Sequence, residues 1–275
     1  MSMLIDAHIH YFDAPGWTDK LIADMDEAGI SWSVLLPTIG ESVWEYVGMT
    51  FHNVANVDVL REIKRYPDRL VGGIRLIPTE AGAVDALRRY ADTGHFRLAK
   101  FSPPEGFRVD DERILPFYEV CAQYKLPVLI HMGQTGGDFI GAKKAAMYQL
   151  NSSLGNPMHL DYAAKMFPEL TFIIAHNGYP YFIESWAVAL ENPNVCLDIS
   201  GSGPWVDGMQ AVYAAMGGAA FIPIDFNRVW WGSDNCLPQR ESISRATVFM
   251  RQMGAGKTQR ARIFGGLAQE LLHLG

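Results

Sequence analysis

Two rhythms alternate along this chain from end to end. Short apolar runs, of strand length, are separated by stretches in which apolar residues recur every three or four positions. The runs are Leu4–His10, Trp32–Leu36, Val71–Ile77, Leu98–Phe101, Val128–His131, Thr171–His176, Val195–Ile199 and Arg228–Asp234. Between them, stripes such as Leu21, Ile22 and Met25, or Leu160, Ala164 and Phe167, predict amphipathic helices. The punctuation agrees. Gly29, Gly94 and Gly217 stand at helix ends, Pro37 stops the second strand, Pro157 opens a helix, and Thr18 occupies an N-cap position. The stretches Ser242–Met253 and Thr258–Leu274 read as helices that cover the closing end.

Strands that alternate with helices are the mark of parallel βαβ units, and near-continuous apolar strands are expected where both sheet faces are buried. Eight such units predict an α/β fold, a single (β/α)8 TIM barrel with an extra C-terminal helix. A barrel of ~250 residues would use residues 1–275 as one domain. An open doubly wound sheet competes, but no G-x-G-x-x-G follows the first strand.

Composition narrows the class. With 49% hydrophobic and 19% charged residues, the chain has ample core-forming material. A net charge of -7 argues against nucleic acid or an anionic membrane as partner. Met1-Ser2-Met3 leads directly into the first strand without a signal-peptide pattern, and no apolar run is long enough for a bilayer. Cys121, Cys196 and Cys236 are few, odd in number and scattered, so they read as reduced thiols. These features predict a cytoplasmic location.

Chemistry enters at the first strand. By strand alternation, Asp6, His8 and His10 share one face of Leu4–His10, and two imidazoles on one rigid strand can converge on one metal ion. Polar residues also mark the C-terminal ends of later strands: His131 on the fifth, His176 on the sixth and Asp234 on the eighth. In a barrel those ends open onto one face, where catalytic groups gather. Three imidazoles and one carboxylate suit Zn²⁺ or another borderline divalent ion.

The segments Asp6-Ala-His-Ile-His10, Ile130-His131, Ile174-Ala-His176-Asn-Gly178 and Gly232-Ser-Asp234 resemble, in this order, the motifs of the amidohydrolase superfamily. Within it the chain is similar to the amidohydrolase 2 branch that includes aminocarboxymuconate-semialdehyde decarboxylase. The resemblance implies that His8, His10, His131 and Asp234 hold one divalent metal, most simply Zn²⁺ with Mn²⁺ as second candidate. His176 would meet substrate or the attacking water, and Asp234 would double as proton carrier. The main expected activity is hydrolysis of an ester, lactone or amide of a small organic acid by a metal-activated water. The alternative is metal-dependent, non-oxidative decarboxylation of an unsaturated or aromatic acid. A non-catalytic barrel that binds a small acid is the third reading. The chain departs from the branch in its last helix, where an asparagine is replaced within Gly265-Gly-Leu267-Ala. Lys100 lies on the fourth strand, where other branches carry a carboxylated lysine that bridges two metals; the branch resembled here lacks it, which favours one metal.

Other residues have two readings each. Arg75 and Lys100 could clamp the carboxylate of a small-molecule substrate, or form a salt-bridged pair within the barrel. Asp6 is either support for the metal ligands or a hydrogen-bonded core carboxylate. Trp44, Tyr46 and Trp205, read as loop residues after the second and seventh strands, are candidates to line an aromatic substrate pocket. The Gly133–Gly141 loop is a candidate lid. His52, His95, His159 and His273 read as surface histidines, Cys236 lacks a histidine partner for nucleophilic work, and a homodimer is compatible with the sequence.

Overall fold

All of the expected strands form, in chain order and parallel. The structure is a computed structural model that describes residues 3–37, 44–46, 49–51, 54–134, 150–201, 203–218, 223–234 and 238–275. The barrel strands are β1 (Ile5–His10), β2 (Trp32–Leu36), β5 (Leu70–Arg75), β6 (Phe96–Phe101), β7 (Val128–His131), β8 (Phe172–Ala175), β9 (Val195–Asp198) and β10 (Val229–Trp230). They pair in the order β1-β2-β5-β6-β7-β8-β9-β10. The ring is closed across β1 and the segment after β10. There Ala7 N donates to Trp231 O at 3.2 Å, Asp234 N to His8 O at 2.6 Å and His10 N to Asp234 O at 3.0 Å. This is the TIM-barrel architecture.

Helices between the strands are α1 (Trp17–Ala28), α2 (Asn56–Arg65), α3 (Ala83–Ala91), α4 (Leu115–Gln123), α5 (Leu160–Met166), α6 (Phe182–Glu191) and α7 (Gly203–Ala215). After the last strand come α8 (Gln239–Gln252), α9 (Lys257–Ala261) and α10 (Leu267–Leu271). Two apolar layers result. Ile5, Ala7, Val34, Leu36, Leu98, Leu129, Ile173 and Trp230 fill the barrel interior. Ile9, Leu35, Phe101, Ile130, Phe172 and Trp231 face the helices. Leu267, Ala268, Leu272 and Leu274 join the inner layer. The C-terminal segment therefore plugs the barrel, as the patterning predicts.

Three local readings change. Thr18 is not the cap of α1: Gly16, with φ 71°, takes that position, and Thr18 is buried one residue inside the helix start. Trp44 and Tyr46 belong not to a loop but to a two-stranded antiparallel hairpin, β3 (Trp44–Tyr46) with β4 (Met49–Phe51). Their side chains, like that of Trp205 on α7, fall outside the described residues, as do His52, Cys236 and residues 135–141 of the glycine-rich loop. Finally, a single π-helical turn (Arg262–Gly266) joins α9 to α10. At Gly265 a side chain would collide with Met3 O, so the departure noted in the last helix lets this segment press against the start of β1.

Candidate metal centre

The first strand does not run evenly. Its pairing with β2 is Ile5↔Trp32, Asp6↔Ser33, Ile9↔Leu35 and His10↔Leu36, so one extra residue is inserted between Asp6 and Ile9. This bulge breaks the expected sharing of a face. Asp6 turns outward, towards α8: Oδ1 accepts from Ser233 N at 2.9 Å, and Oδ2 accepts from Ser233 Oγ and Gln239 Nε2, both at 2.5 Å. Asp6 is thus a hydrogen-bonded carboxylate outside the barrel wall that fixes the neighbour of Asp234. Burial, opposed by these hydrogen bonds, pushes its pKa up to about 6. Gly232 is required beside the bulge, since a Cβ there would run into His8.

His8 and His10 face the mouth with Asp234. His8 Nε2 lies 3.4 Å from His10 Nε2 and 3.5 Å from Asp234 Oδ1, and His10 Nε2 lies 3.6 Å from the same Oδ1. These three ligand atoms form a group that could hold a metal ion. Around a tetrahedral ion with bonds of ~2.0–2.1 Å, neighbouring donors stand about 3.3–3.4 Å apart. The triangle has that size, and its two nitrogens and one oxygen are donors that borderline divalent ions accept.

The remaining expected residues surround this triangle. His131 and His176 have ring centroids 4.9 Å apart, and His176 and His8 5.1 Å. His131 is not part of the triangle. Its Nε2 donates to Gln134 O at 3.0 Å, which leaves Nδ1 as its free lone pair. His176 Nδ1 lies 3.3 Å from Ser200 O and 3.0 Å from Ser200 Oγ. A carbonyl only accepts, so the proton sits on Nδ1 and Nε2 is an acceptor. Lys100 Nζ donates to His8 Nε2 at 2.7 Å. Arg75 does not pair with Lys100; its guanidinium is joined to Glu105.

Two contributors went unpredicted. Asp198, at the end of β9, is fully buried and accepts from His8 Nδ1 at 2.6 Å. Ser200 completes the link: its amide donates to Asp198 Oδ1 at 2.5 Å, and its Oγ lies 3.0 Å from His8 Nδ1. A carboxylate behind a histidine fixes its tautomer and raises its basicity. The clue was present, because Asp198 also closes an apolar strand at the barrel's C-terminal end.

Electrostatics suit ligation. Burial lowers the pKa of His8, His10 and His176 well below the usual range, and the Lys100 charge deepens the effect. His131 is pushed down to about 4 for the same reasons. All four imidazoles are therefore neutral at pH 7, the form that binds metal. Burial raises the Asp234 and Asp198 carboxyls and lowers the Lys100 ammonium. The backbone is strained at the same place: His176, Asn177 and Asp234 have φ of 53°, 50° and 60°. Left-handed non-glycine residues cost of order 1 kcal/mol each and gather at functional sites.

Comparison with known proteins agrees with the geometry. A family model described as "Amidohydrolase" matches residues 5–274. No curated protein matches. Among solved structures, an uncharacterized TIM-barrel protein, Bb4693 from Bordetella bronchiseptica, is 21% identical with a TM-score of 0.70, covering 99% of both chains. A 5-carboxyvanillate decarboxylase from Novosphingobium aromaticivorans, complexed with manganese, is 16% identical with a TM-score of 0.59 over 99% of this chain and 96% of that one. 4-Oxalomesaconate hydratase (LigJ) from Rhodopseudomonas palustris is 19% identical with a TM-score of 0.62, over 98% and 96%. At these identities the likeness is one of fold.

Proposed function

The chain belongs to the amidohydrolase family, and from that premise we propose that it is a metal-dependent enzyme acting on a small carboxylate-bearing substrate. The observation that carries the reading is the His8–His10–Asp234 triangle, with edges of 3.4–3.6 Å. His8 and His10 through Nε2 and Asp234 through Oδ1 would hold one ion, and His131, which stands outside the triangle, is the expected fourth ligand. Zn²⁺ suits this donor set; Mn²⁺ is the second candidate, because a decarboxylase of the same fold was solved with manganese. A bound ion would lower the pKa of a water towards ~7 and polarise a substrate oxygen.

The protein's own groups supply the rest. Asp234 takes the proton of the attacking water and passes it to the leaving group; burial, which makes this carboxyl easier to protonate, suits that exchange. His176, whose Nδ1 faces Ser200 and whose ring lies beside His8 and His131, is the group expected to meet substrate or the attacking water. Lys100 and Arg75 place positive charge beside the site for a carboxylate, and Trp205 on α7 is the candidate aromatic wall. The favoured reaction is hydrolysis of an ester, lactone or amide. Decarboxylation is the second reading. A 5-carboxyvanillate decarboxylase shares the fold, and the same cations would hold the departing carboxylate. Metal-loaded protein incubated with a panel of lactones and aromatic acids separates the two: hydrolysis releases acid without carbon dioxide, decarboxylation releases carbon dioxide. If neither appears, while a panel acid binds His8→Ala as well as wild type, the non-catalytic binding reading replaces both.

A further inference from the structure

His8 has one nitrogen too few for its neighbours. Nδ1 carries the proton given to Asp198 at 2.6 Å, so Nε2 holds the ring's only available lone pair. Lys100 Nζ donates into that lone pair at 2.7 Å. The same atom is a corner of the triangle formed with His10 and Asp234. One lone pair serves one partner at a time. Lys100 is held in place by its position on β6 and is 1% exposed. Arg75 is matched by Glu105, but no ion pair joins Lys100 to a carboxylate among the described residues.

We propose that Lys100 is a resident competitor for the metal position: its ammonium group and a divalent ion exclude each other at His8 Nε2. This rests on the metal reading above. A metal that takes Nε2 must displace the ammonium and then share a buried, poorly screened site with it, and both effects weaken metal binding. The affinity of the site is thereby set by a residue that is not a ligand.

The test compares wild type with Lys100→Met, Lys100→Gln and His10→Ala. Each protein, stripped with chelator, is titrated with Zn²⁺ and separately with Mn²⁺ against a chromophoric chelator. Thermal melts are recorded with and without metal. Both Lys100 variants should bind metal at least tenfold more tightly than wild type, and metal should raise their melting temperatures by more. His10→Ala should bind at least a hundredfold more weakly. Gln keeps a polar group at Nε2 without the charge, so it carries the test if the Met variant fails to fold. Equal or weaker binding in the Lys100 variants, with binding still lost in His10→Ala, overturns the competition and leaves the metal reading intact. Binding unchanged in His10→Ala overturns the metal reading and the competition with it.

Discussion

The floor and the mouth of the barrel are built from the same strands and obey opposite rules. β1 gives Ile5 and Ala7 to the floor and His8 and His10 to the mouth; β6 gives Leu98 below and Lys100 above; β9 gives Cys196 below and Asp198 above. The floor is apolar, glycine-relieved and sealed by the C-terminal segment. At the mouth the structure keeps charged and strained groups out of water. Burial of such groups is unfavourable unless each has a partner. The floor therefore supplies stability, and the mouth holds groups whose value lies in chemistry.

That division can be broken most directly by exchanging damage between the halves. His10→Ala should reduce turnover by ~10³-fold or more, because it removes a corner of the triangle, while shifting the melting temperature little. Leu98→Ala should do the reverse: it opens a cavity under the mouth and costs about 2–5 kcal/mol in chemical denaturation, with activity retained by the folded fraction. Activity assays and urea melts on the two variants decide, and loss of both properties in either one erases the distinction.

A smaller effect concerns pH. In the folded, chelator-treated protein His131 resists protonation down to about 4, whereas the unfolded imidazole takes a proton near 6.5. The folded pKa is the lower one, so the contribution of His131 to stability is whole above pH 6.5. It is lost as pH falls from there towards 4. Relative to His131→Asn, wild type should lose up to ~3 kcal/mol over that window. Denaturation curves at pH 7 and pH 4.5 measure it; parallel behaviour of the two proteins refutes it. Smaller still is the effect of Asp198→Ala. Loss of the carboxylate behind His8 should weaken metal binding ~10–100-fold, with the Ser200 hydroxyl holding the ring near the lower figure. Chelator competition reads this directly.

The barrel was legible because strands buried on both sides leave unbroken apolar runs, and all eight begin within two residues of where the pattern puts them. Arg228 precedes the last by one position as well, but that strand is much shorter than its run, ending at Trp230, since the chain turns off to bring Asp234 back to β1. The face of Asp6 was not legible. Alternation assumes an even strand, and the bulge after Asp6 breaks that assumption without a local signal in the residues themselves. The hairpin of β3 and β4 was missed because three-residue strands carry too short a period to register. Asp198 was missed for a different reason: its histidine partner lies 190 positions away, and nothing local announces a pairing at that distance.

The amide and carbonyl of Asp234 knit the first strand to the last, next to the carboxylate that faces His8 and His10. The first barrel strand and the segment after the last one thus meet at the spot where a cation would be gripped from both sides. Such an ion would act as a rivet through the seam. Slowed amide exchange at His10 and Asp234 would then be the earliest sign of loading, and opening of the ring and loss of chemistry would be one event.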